Sequence, residues 1–511
     1  MAYYIGIDVG TSATKSLVMD ARGKVLATAT GEHTVGTPKP GWSEQDPDQW
    51  WAAAVQAVGK VVAKAGVKAA QVAGIGLSGQ MHGLVLTDKA GRPLRPAIIW
   101  NDQRTAREAA EIERAVGGRG RLIRLVGNPA MTSYTLTKLL WVRRHQPRVY
   151  DRSRHMLLPK DYVRLRLTGE YAGDASDMSG TLMLDQRRRD WSRNIIETFQ
   201  IDPGLLPPVL ESHEVAGVLT KAAADKLNLP AGVKVVAGGG DQLVGAVGNG
   251  VVADGMTSAT MGTSGAVLTH SRRYKTDPAG RVNTYCASVA GEYCMFGCVL
   301  SAGGSLQWFR NTLCQVEIDQ ARSSGVDPYQ LIDAQAAAES AGCEGLFWLP
   351  YLTGERTPHA DPHARACWIG IDARTTKGRL ARAVMEGAAF AMRDCLELLE
   401  ASGVKIAQVR LSGGGARSPF WRQMQADVYG KTCATINTDE GPAYGAALLA
   451  AVGTGRFDSV PQACAAAIKV TRTVRPAPAR RRLYDKHYAR YRRLYPALKE
   501  QFAALAELAR R

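Results

Sequence analysis

The chain has 511 residues, of which 45% are hydrophobic and 22% are charged, and its formal net charge is +17. This length exceeds what one hydrophobic core usually supports, so we expect two or three domains. No apolar run reaches the roughly 18 residues of a bilayer-spanning helix, and no signal peptide is recognisable, so we expect a cytoplasmic protein without membrane contact.

The first 40 residues predict three β-strands, at 3–9, 13–20 and 24–33. The first two strands are joined by Gly10-Thr11-Ser12, in which glycine permits a tight turn and two hydroxyls lie beside exposed backbone N–H groups. Such a turn is suited to binding phosphate oxygens. Asp8, just before the turn, could serve a metal ion.

A helix is predicted to begin at Asp46-Pro47, with Gln49 completing a capping box. Gly74 to Gly79 match G-x-G-x-x-G, but a second β run follows instead of a helix, so we reject a dinucleotide site. His82 stands between these two runs. A lone histidine is usually structural, but here it could also bind a sugar hydroxyl. The patterns up to residue 146 predict strands at 72–78 and 83–88, another apolar run at 96–100, and helices at 103–115 and 134–146.

A strand at 233–237 runs into three glycines and Asp241. This pattern packs poorly but allows another group to approach the backbone closely. From the residues alone, Asp241 is equally well explained as a turn residue or as a carboxylate at a domain seam that takes a proton. We place the domain boundary just after it, which divides the chain into domains 1–247 and 248–511.

The second half of the chain repeats the pattern of the first, a hairpin followed by strands mixed with helices. A hairpin at 257–269 contains Gly262-Thr263-Ser264, a weak echo of the first turn. Gly413-Gly414-Gly415 lies between a strand and a helix capped by Ser418, which favours nucleotide binding over a simple turn. Strands mixed with helices in two similar halves predict an α/β architecture in both, with a nucleotide held between two related domains. The other patterns predict strands within 281–300 and at 407–412, helices from 304 and at 328–341, 377–400 and 445–452, and an irregular loop at 346–371.

Much of the positive charge lies near the C-terminus, at 480–482 and 490–493. Tyrosines recur there at helical spacing, at positions 484, 488, 491 and 495. This pattern predicts a docked amphipathic helix with a solvated basic face rather than a nucleic-acid surface. Nine cysteines without a CxxC pair favour reduced thiols over disulfides or metal ligands.

Residues 133–145 and 366–386 resemble the two signature segments of the FGGY carbohydrate kinases. Arg379 departs from the second signature, which expects an acid, an amide or a histidine there. The stretches SGQMHGLVLTD, AIIWNDQRT, GGGDQ, YLTGERTPH and LSGGGARSPFWRQMQADVYG most closely resemble the family members that phosphorylate D-xylulose. The resemblance extends from about residue 3 to residue 500.

The resemblance implies two RNase H-like domains of the actin and sugar-kinase type, on either side of a deep catalytic cleft. It also implies an ATP-dependent kinase that uses Mg²⁺ and transfers the γ-phosphate to the C5 hydroxyl of D-xylulose in pentose catabolism. Two alternatives stay open. One is an FGGY kinase for ribulose, a pentitol or glycerol, and the other is an ATP-binding sensor without sugar transfer.

The resemblance also implies roles for single residues. Asp241 would be the catalytic base, and Asp8 would hold Mg²⁺ through water. The sugar site would contain Met81, His82, Asp241 and Gln242, with Trp100 and Asp102 as further candidates. The nucleotide and its phosphates would meet Thr11, Ser12, Thr263, Ser264, Trp308, Gly414 and Gly415. The implied partners are a sugar and ATP, with no nucleic acid and no membrane, and a homodimer is left open. We also expect the domains to close on the sugar.

Overall fold

The computed structural model describes residues 2–508. Its strands are β1 (Tyr3–Val9), β2 (Ala13–Asp20), β3 (Val25–Glu32), β4 (Glu44–Gln45), β5 (Val72–Gly79), β6 (Val85–Thr87), β7 (Ala97–Ile98), β8 (His155–Leu157), β9 (Gly173–Asp174), β10 (Leu184–Asp185), β11 (Asp190–Trp191), β12 (Val209–Leu210), β13 (Val215–Val218), β14 (Lys234–Val236), β15 (Gly239–Gly240), β16 (Met256–Met261), β17 (Gly265–Ser271), β18 (Asn283–Cys286), β19 (Tyr293–Val299), β20 (Phe347–Leu349), β21 (Cys367–Ile369), β22 (Gln408–Ser412), β23 (Cys433–Ile436) and β24 (Val470–Val474).

The α-helices are α1 (Pro47–Ala65), α2 (Ala106–Ala115), α3 (Arg119–Val126), α4 (Thr135–His145), α5 (Pro147–Arg152), α6 (Pro159–Thr168), α7 (Ala175–Met178), α8 (Arg193–Phe199), α9 (Lys221–Leu227), α10 (Asp241–Gly248), α11 (Gly303–Leu313), α12 (Gln315–Ser324), α13 (Pro328–Ala338), α14 (Lys377–Ala401), α15 (Pro419–Tyr429), α16 (Gly441–Gly453), α17 (Val460–Ala467) and α18 (Pro478–Leu508). None of the helices within residues 2–508 combines the length and apolarity that crossing a membrane requires.

The chain folds into two compact units, each built from non-contiguous segments. The first unit contains the chain up to Ala253, together with His270–Cys294 and Glu440–Lys469. The second contains Asp254–Thr269, Met295–Asp439 and the chain from Val470 onward. The division of the sequence after residue 247 stays a prediction.

The sheet of the first unit has the strand order β13–β14–β5–β1–β2–β3, and β15 also pairs with β5. Successive residues of β1 alternate between its faces. Ile5 and Ile7 point into a core that they share with Trp50 of α1. The opposite face receives the Ala-rich helix α16, and a Cβ on Gly76 would lie only 1.9 Å from the Ala446 carbonyl oxygen. Glycine therefore lets this helix lie directly on the sheet.

The second unit repeats this strand arrangement. Six strands of its main sheet follow the order β19–β17–β16–β22–β23–β24. In the first unit, β1 and β2 form an antiparallel hairpin, β5 pairs in parallel with β1, and β14 pairs in parallel with β5. In the second unit, β16 and β17 form the antiparallel hairpin, β22 pairs in parallel with β16, and β23 pairs in parallel with β22. The predicted α/β architecture in both halves is confirmed.

Two local predictions were wrong. The Asp46 carboxylate caps α1 by accepting from the Asp48 backbone N–H, but Gln49 does not complete a capping box. Its side-chain oxygen instead accepts from the Thr34 backbone N–H at 3.1 Å, because the neighbouring β3 end offers a competing donor. The segment 346–371 is not wholly irregular, since β20 and β21 pair antiparallel near its two ends.

The C-terminal helix α18 docks as its tyrosine spacing predicts. All four tyrosines are buried in the second unit, whereas the arginines at 490, 492 and 493 are exposed. The hydroxyl groups of the tyrosines have polar partners, as buried tyrosines usually require. Tyr484 donates to Glu386 at 2.7 Å, Tyr488 to Asp394 at 2.6 Å and Tyr495 to Asp361 at 2.8 Å.

Asp394 under α18 should make stability depend on pH. Burial raises the pKa of Asp394 to about 7, although the Tyr488 hydroxyl and the Arg492 charge oppose the rise. A carboxyl whose pKa is raised by folding contributes stability below its unfolded pKa of 3.8, and this contribution is lost as the pH rises through 7. We expect Asp394→Asn to be more stable than the wild type at pH 8, by about 4 kcal/mol, and to keep a smaller advantage of about 1.5 kcal/mol at pH 5, where the shift from 3.8 towards 7 has acted only in part.

Urea unfolding at the two pH values measures this difference. Glu400→Gln, on the same helix but with a side chain 36% exposed, serves as the control, and its difference in stability from the wild type should be the same at both pH values. An Asp394→Asn variant that is less stable than the wild type at both pH values would contradict the argument.

Candidate active site

Asp8 and Asp241 lie at the carboxyl ends of β1 and β15, two strands of the first unit that both pair in parallel with β5. Asp8 of β1 is in register with Ser78 of β5, and Ser78 is in register with Gly239 of β15. Asp241 follows β15 at once, as the first residue of α10. The strand pairing therefore gathers two carboxylates that are 233 positions apart in the sequence.

Both carboxyl groups hold their protons more tightly than ordinary aspartates. Burial raises the pKa of Asp241 to about 7, helped by the charge of Asp8 and opposed by hydrogen bonds from Gln242. Burial also raises the pKa of Asp8 to about 6, opposed by the nearby Ser78 hydroxyl and the Lys15 charge. A carboxylate with a pKa near neutrality is a competent proton acceptor.

Met81 lies beside Asp241, and His82 is the next residue in the chain. The Cγ atom of Met81 is 2.7 Å from the position that a Cβ on Gly240 would take, so Met81 packs directly against the residue before Asp241. The His82 imidazole makes an edge-to-face contact with Tyr134, with ring centroids 4.7 Å apart. Its Nδ1 atom lies 2.9 Å from the Gly180 carbonyl oxygen. In the neutral imidazole this contact places the proton on Nδ1 and makes Nε2 an acceptor.

Tyr285 and Gly180 also contact His82, although no sequence pattern indicated either residue. Tyr285 lies on β18, and its ring centroid is 6.2 Å from that of His82. Its hydroxyl is 3.1 Å from that of Tyr134. These residues reach the site through pairings across more than 90 positions, which no local pattern reveals.

The first phosphate turn is held by a polar network. The Gln45 side chain donates to the Thr11 carbonyl oxygen at 2.8 Å and Gln80 donates to Gln45 at 2.7 Å, while Ser12 is exposed. The Trp100 indole donates to the Thr11 hydroxyl at 2.9 Å. The structure thus brings Trp100, a sugar-site candidate, to the phosphate turn.

Asp102, the other further candidate, is fully buried. Its carboxylate accepts from Arg104 at 2.7 Å and from the Ser43 backbone N–H at 2.6 Å. This ion pair indicates a structural role for Asp102. A direct role of Asp102 in sugar binding stays a prediction.

The second phosphate turn lies in the second unit, where Thr263 and Ser264 are exposed. The backbone N–H groups of Gly303 and Gly304, at the start of α11, donate to the carbonyl oxygens of Gly262 and Thr263 at 2.8 and 2.9 Å. The turn is therefore fixed to the N-terminus of a helix, a position that favours anions.

A cavity of about 430 Å³ opens beside this turn. Thr263, Gly414 and Gly415, three of the residues assigned to the nucleotide from the sequence, line it. Trp308 does not; it stacks on Trp348 with ring centroids 5.4 Å apart. The cavity also has polar walls that the sequence did not indicate: Gln307, Asp327, Tyr329, Gln330, Asp333, Arg417 and Ser418.

The donor set near Asp8 fits a magnesium ion that is bound together with phosphates. The Oδ1 atom of Asp8 is buried without a hydrogen-bond partner among residues 2–508. Mg²⁺ prefers oxygen ligands and commonly uses one or two carboxylates, with waters and phosphates completing its shell. The described part of the chain contains no cluster of three or more His, Cys, Asp or Glu side chains arranged to hold a metal without such help.

Two family models cover most of the chain. The FGGY family of carbohydrate kinases, N-terminal domain, matches residues 3–248, and its C-terminal domain matches residues 257–454. The chain belongs to the FGGY family of carbohydrate kinases, and it is accordingly an ATP-dependent sugar kinase.

Similar proteins span its full length. The xylulose kinase of Bacillus subtilis (strain 168) is 36% identical over 505 residues, which cover 99% of each chain. The xylulose kinase of Escherichia coli (strain K12) is 39% identical, over 97% of this chain and 99% of that one. Among solved structures, the xylulose kinase from Rhodospirillum rubrum superposes with a TM-score of 0.90 at 30% identity, and the match covers 98% of this chain and 100% of that one.

Proposed function

We propose that this protein transfers the γ-phosphate of ATP to the C5 hydroxyl of D-xylulose, giving D-xylulose 5-phosphate and ADP in pentose catabolism. The observation that carries the proposal is the full-length similarity to kinases named for xylulose. An enzyme that consumes cellular ATP in this way would work in the cytoplasm.

In this proposal the first unit binds the sugar and removes its proton. Met81, His82 and Gln242 would hold D-xylulose, and Nε2 of His82 would accept a hydrogen bond from a sugar hydroxyl. The ionised Asp241 carboxylate would take the proton of the C5 hydroxyl as its oxygen attacks the γ-phosphorus. The bond to the β-phosphate oxygen then breaks and ADP leaves with those electrons.

The second unit would bind the nucleotide. Thr263 and Ser264 would bind phosphate oxygens, while Gly414 and Gly415 would border the adenosine in the 430 Å³ cavity. Thr11 and Ser12 of the first unit would bind phosphate as well. Asp8 is the residue that would hold Mg²⁺, which when bound neutralises charge on the phosphates.

A coupled ADP-release assay with a panel of acceptors tests the substrate. We expect D-xylulose to give the highest kcat/KM, above ribulose, pentitols and glycerol. A higher kcat/KM for another acceptor would transfer the proposal to that acceptor. ADP release with none of them would favour the ATP-binding sensor.

His82→Ala should weaken sugar binding and leave nucleotide binding almost unchanged. His82 lies on the first unit beside Met81, whereas the nucleotide cavity is lined by residues of the second unit alone. Loss of one polar partner should cost roughly 1–3 kcal/mol of D-xylulose affinity. Calorimetric titration with each ligand separately measures the effect. A loss confined to ATP would show that His82 has been assigned to the wrong ligand.

A further inference from the structure

Lys138 of α4 is a buried cation with an unusual set of partners. Its side chain is fully buried, and its Nζ atom donates to the His82 carbonyl oxygen at 2.8 Å and to the Ser133 carbonyl oxygen. It forms no ion pair with an acid anywhere in residues 2–508. The acid that most affects it, Asp102, is already paired with Arg104.

Burying the Lys138 ammonium group in this way costs free energy, which a residue that only fills space would not require. Burying an ammonium without a counter-charge is unfavourable, and burial lowers the pKa of Lys138 to about 7. A methionine of similar length would occupy the same volume without that cost. What lysine adds is a pair of hydrogen-bond donors, and one of them goes to His82.

The backbone of His82 needs such support. Its φ angle is +69°, in the left-handed region that residues other than glycine adopt only when their surroundings hold them there. The same carbonyl oxygen accepts a second hydrogen bond, from the Thr135 hydroxyl at 3.1 Å. Two neighbouring residues of α4 therefore fix one strained peptide, and the peptide carries the imidazole next to Met81.

We propose that Lys138 is a positioning residue for sugar binding, which acts by anchoring the His82 carbonyl so that the imidazole faces the sugar. The inference rests on the proposed function, because it takes His82 as a sugar ligand. Lys138 itself is fully buried, so in this proposal it acts on the sugar through the His82 carbonyl and not by direct contact.

Thr137 provides a matched control on the same helix. It is also fully buried, and its hydroxyl donates to the carbonyl oxygens of Tyr134 at 2.7 Å and Thr132 at 3.3 Å, with no contact to His82. Thr137→Val thus removes buried hydrogen bonds from α4 without touching the anchor. A general weakening of the helix would affect both variants alike.

The experiment compares Lys138→Met with Thr137→Val. We expect Lys138→Met to raise the KM for D-xylulose about tenfold or more, with the KM for ATP within about twofold of the wild type. Thr137→Val should change neither KM. Lys138→Gln, which keeps amide donors on a shorter side chain, should fall between the two. In a His82→Ala background, Lys138→Met should add little, because the group that it positions is already absent.

Hydrogen exchange gives a readout that needs no turnover. Peptides covering residues 80–84 should exchange faster in Lys138→Met than in the wild type or Thr137→Val. Unchanged exchange, or a KM for sugar that rises equally in both variants, would overturn the inference, as would unfolding of both Lys138 variants while Thr137→Val folds. If the wild type prefers another sugar, the substrate proposal fails alone, and the same comparison applies to that sugar.

Discussion

Asp241→Asn should lower the rate of sugar phosphorylation by about 10²–10⁴-fold, the contribution typical of a general base. The amide keeps the size of the carboxylate and can still accept the hydrogen bonds from Gln242, so the fold should persist. It cannot take a proton from the sugar hydroxyl. Binding of both substrates should change much less than kcat, because removing the proton matters mainly in the transition state.

The pH profile adds an independent check on Asp241. Its carboxyl must be ionised to act as a base, and burial together with the Asp8 charge raises its pKa to about 7. The wild-type kcat/KM should therefore rise with pH and level off above about 7. Asp225→Asn, which alters an exposed carboxylate of the same unit, should keep both the rate and the profile. Near-normal turnover by Asp241→Asn would remove Asp241 from its assigned role.

The strands around the phosphate turns were accessible to sequence reasoning because their signals are local. Residues 3–9 and 13–20 were predicted as strands, and β1 and β2 have those bounds. Alternating apolar residues and a Gly-Thr-Ser turn specify a hairpin without reference to the rest of the chain. The second hairpin and the tyrosine face of α18 follow from equally short patterns.

The rest depends on contacts that no short pattern encodes. Helix α16 was predicted in the right place in the sequence, but it packs on β1 and β5, more than 360 positions away. Lys138 and Tyr285 reach His82 through tertiary packing, and Lys138 on its own suggests a solvated cation rather than a buried anchor. Trp308 was assigned to the nucleotide from the sequence, but its ring stacks on Trp348. An aromatic residue near a binding motif can therefore belong to the hydrophobic packing instead of the site.

Asp8→Asn should reduce activity strongly, and excess Mg²⁺ should restore only part of it. The substitution keeps the side-chain shape on β1 but removes the negative charge that a divalent cation requires. Added Mg²⁺ can raise occupancy by mass action, but it cannot supply the missing ligand charge. Because loss of activity alone could also reflect the influence of Asp8 on Asp241, metal binding must be measured directly.

Mn²⁺ binding, followed by electron paramagnetic resonance with ADP present, separates these two effects. We expect Asp8→Asn to weaken Mn²⁺ binding about tenfold or more, whereas Asp241→Asn should leave it within about twofold, since of these two side chains it is Asp8 that has a buried carboxylate oxygen without a hydrogen-bond partner. Equal metal affinity in the wild type and Asp8→Asn would mean that Asp8 acts through its charge on Asp241. The pH at which kcat/KM levels off would then fall in Asp8→Asn, because loss of that charge lowers the pKa of Asp241.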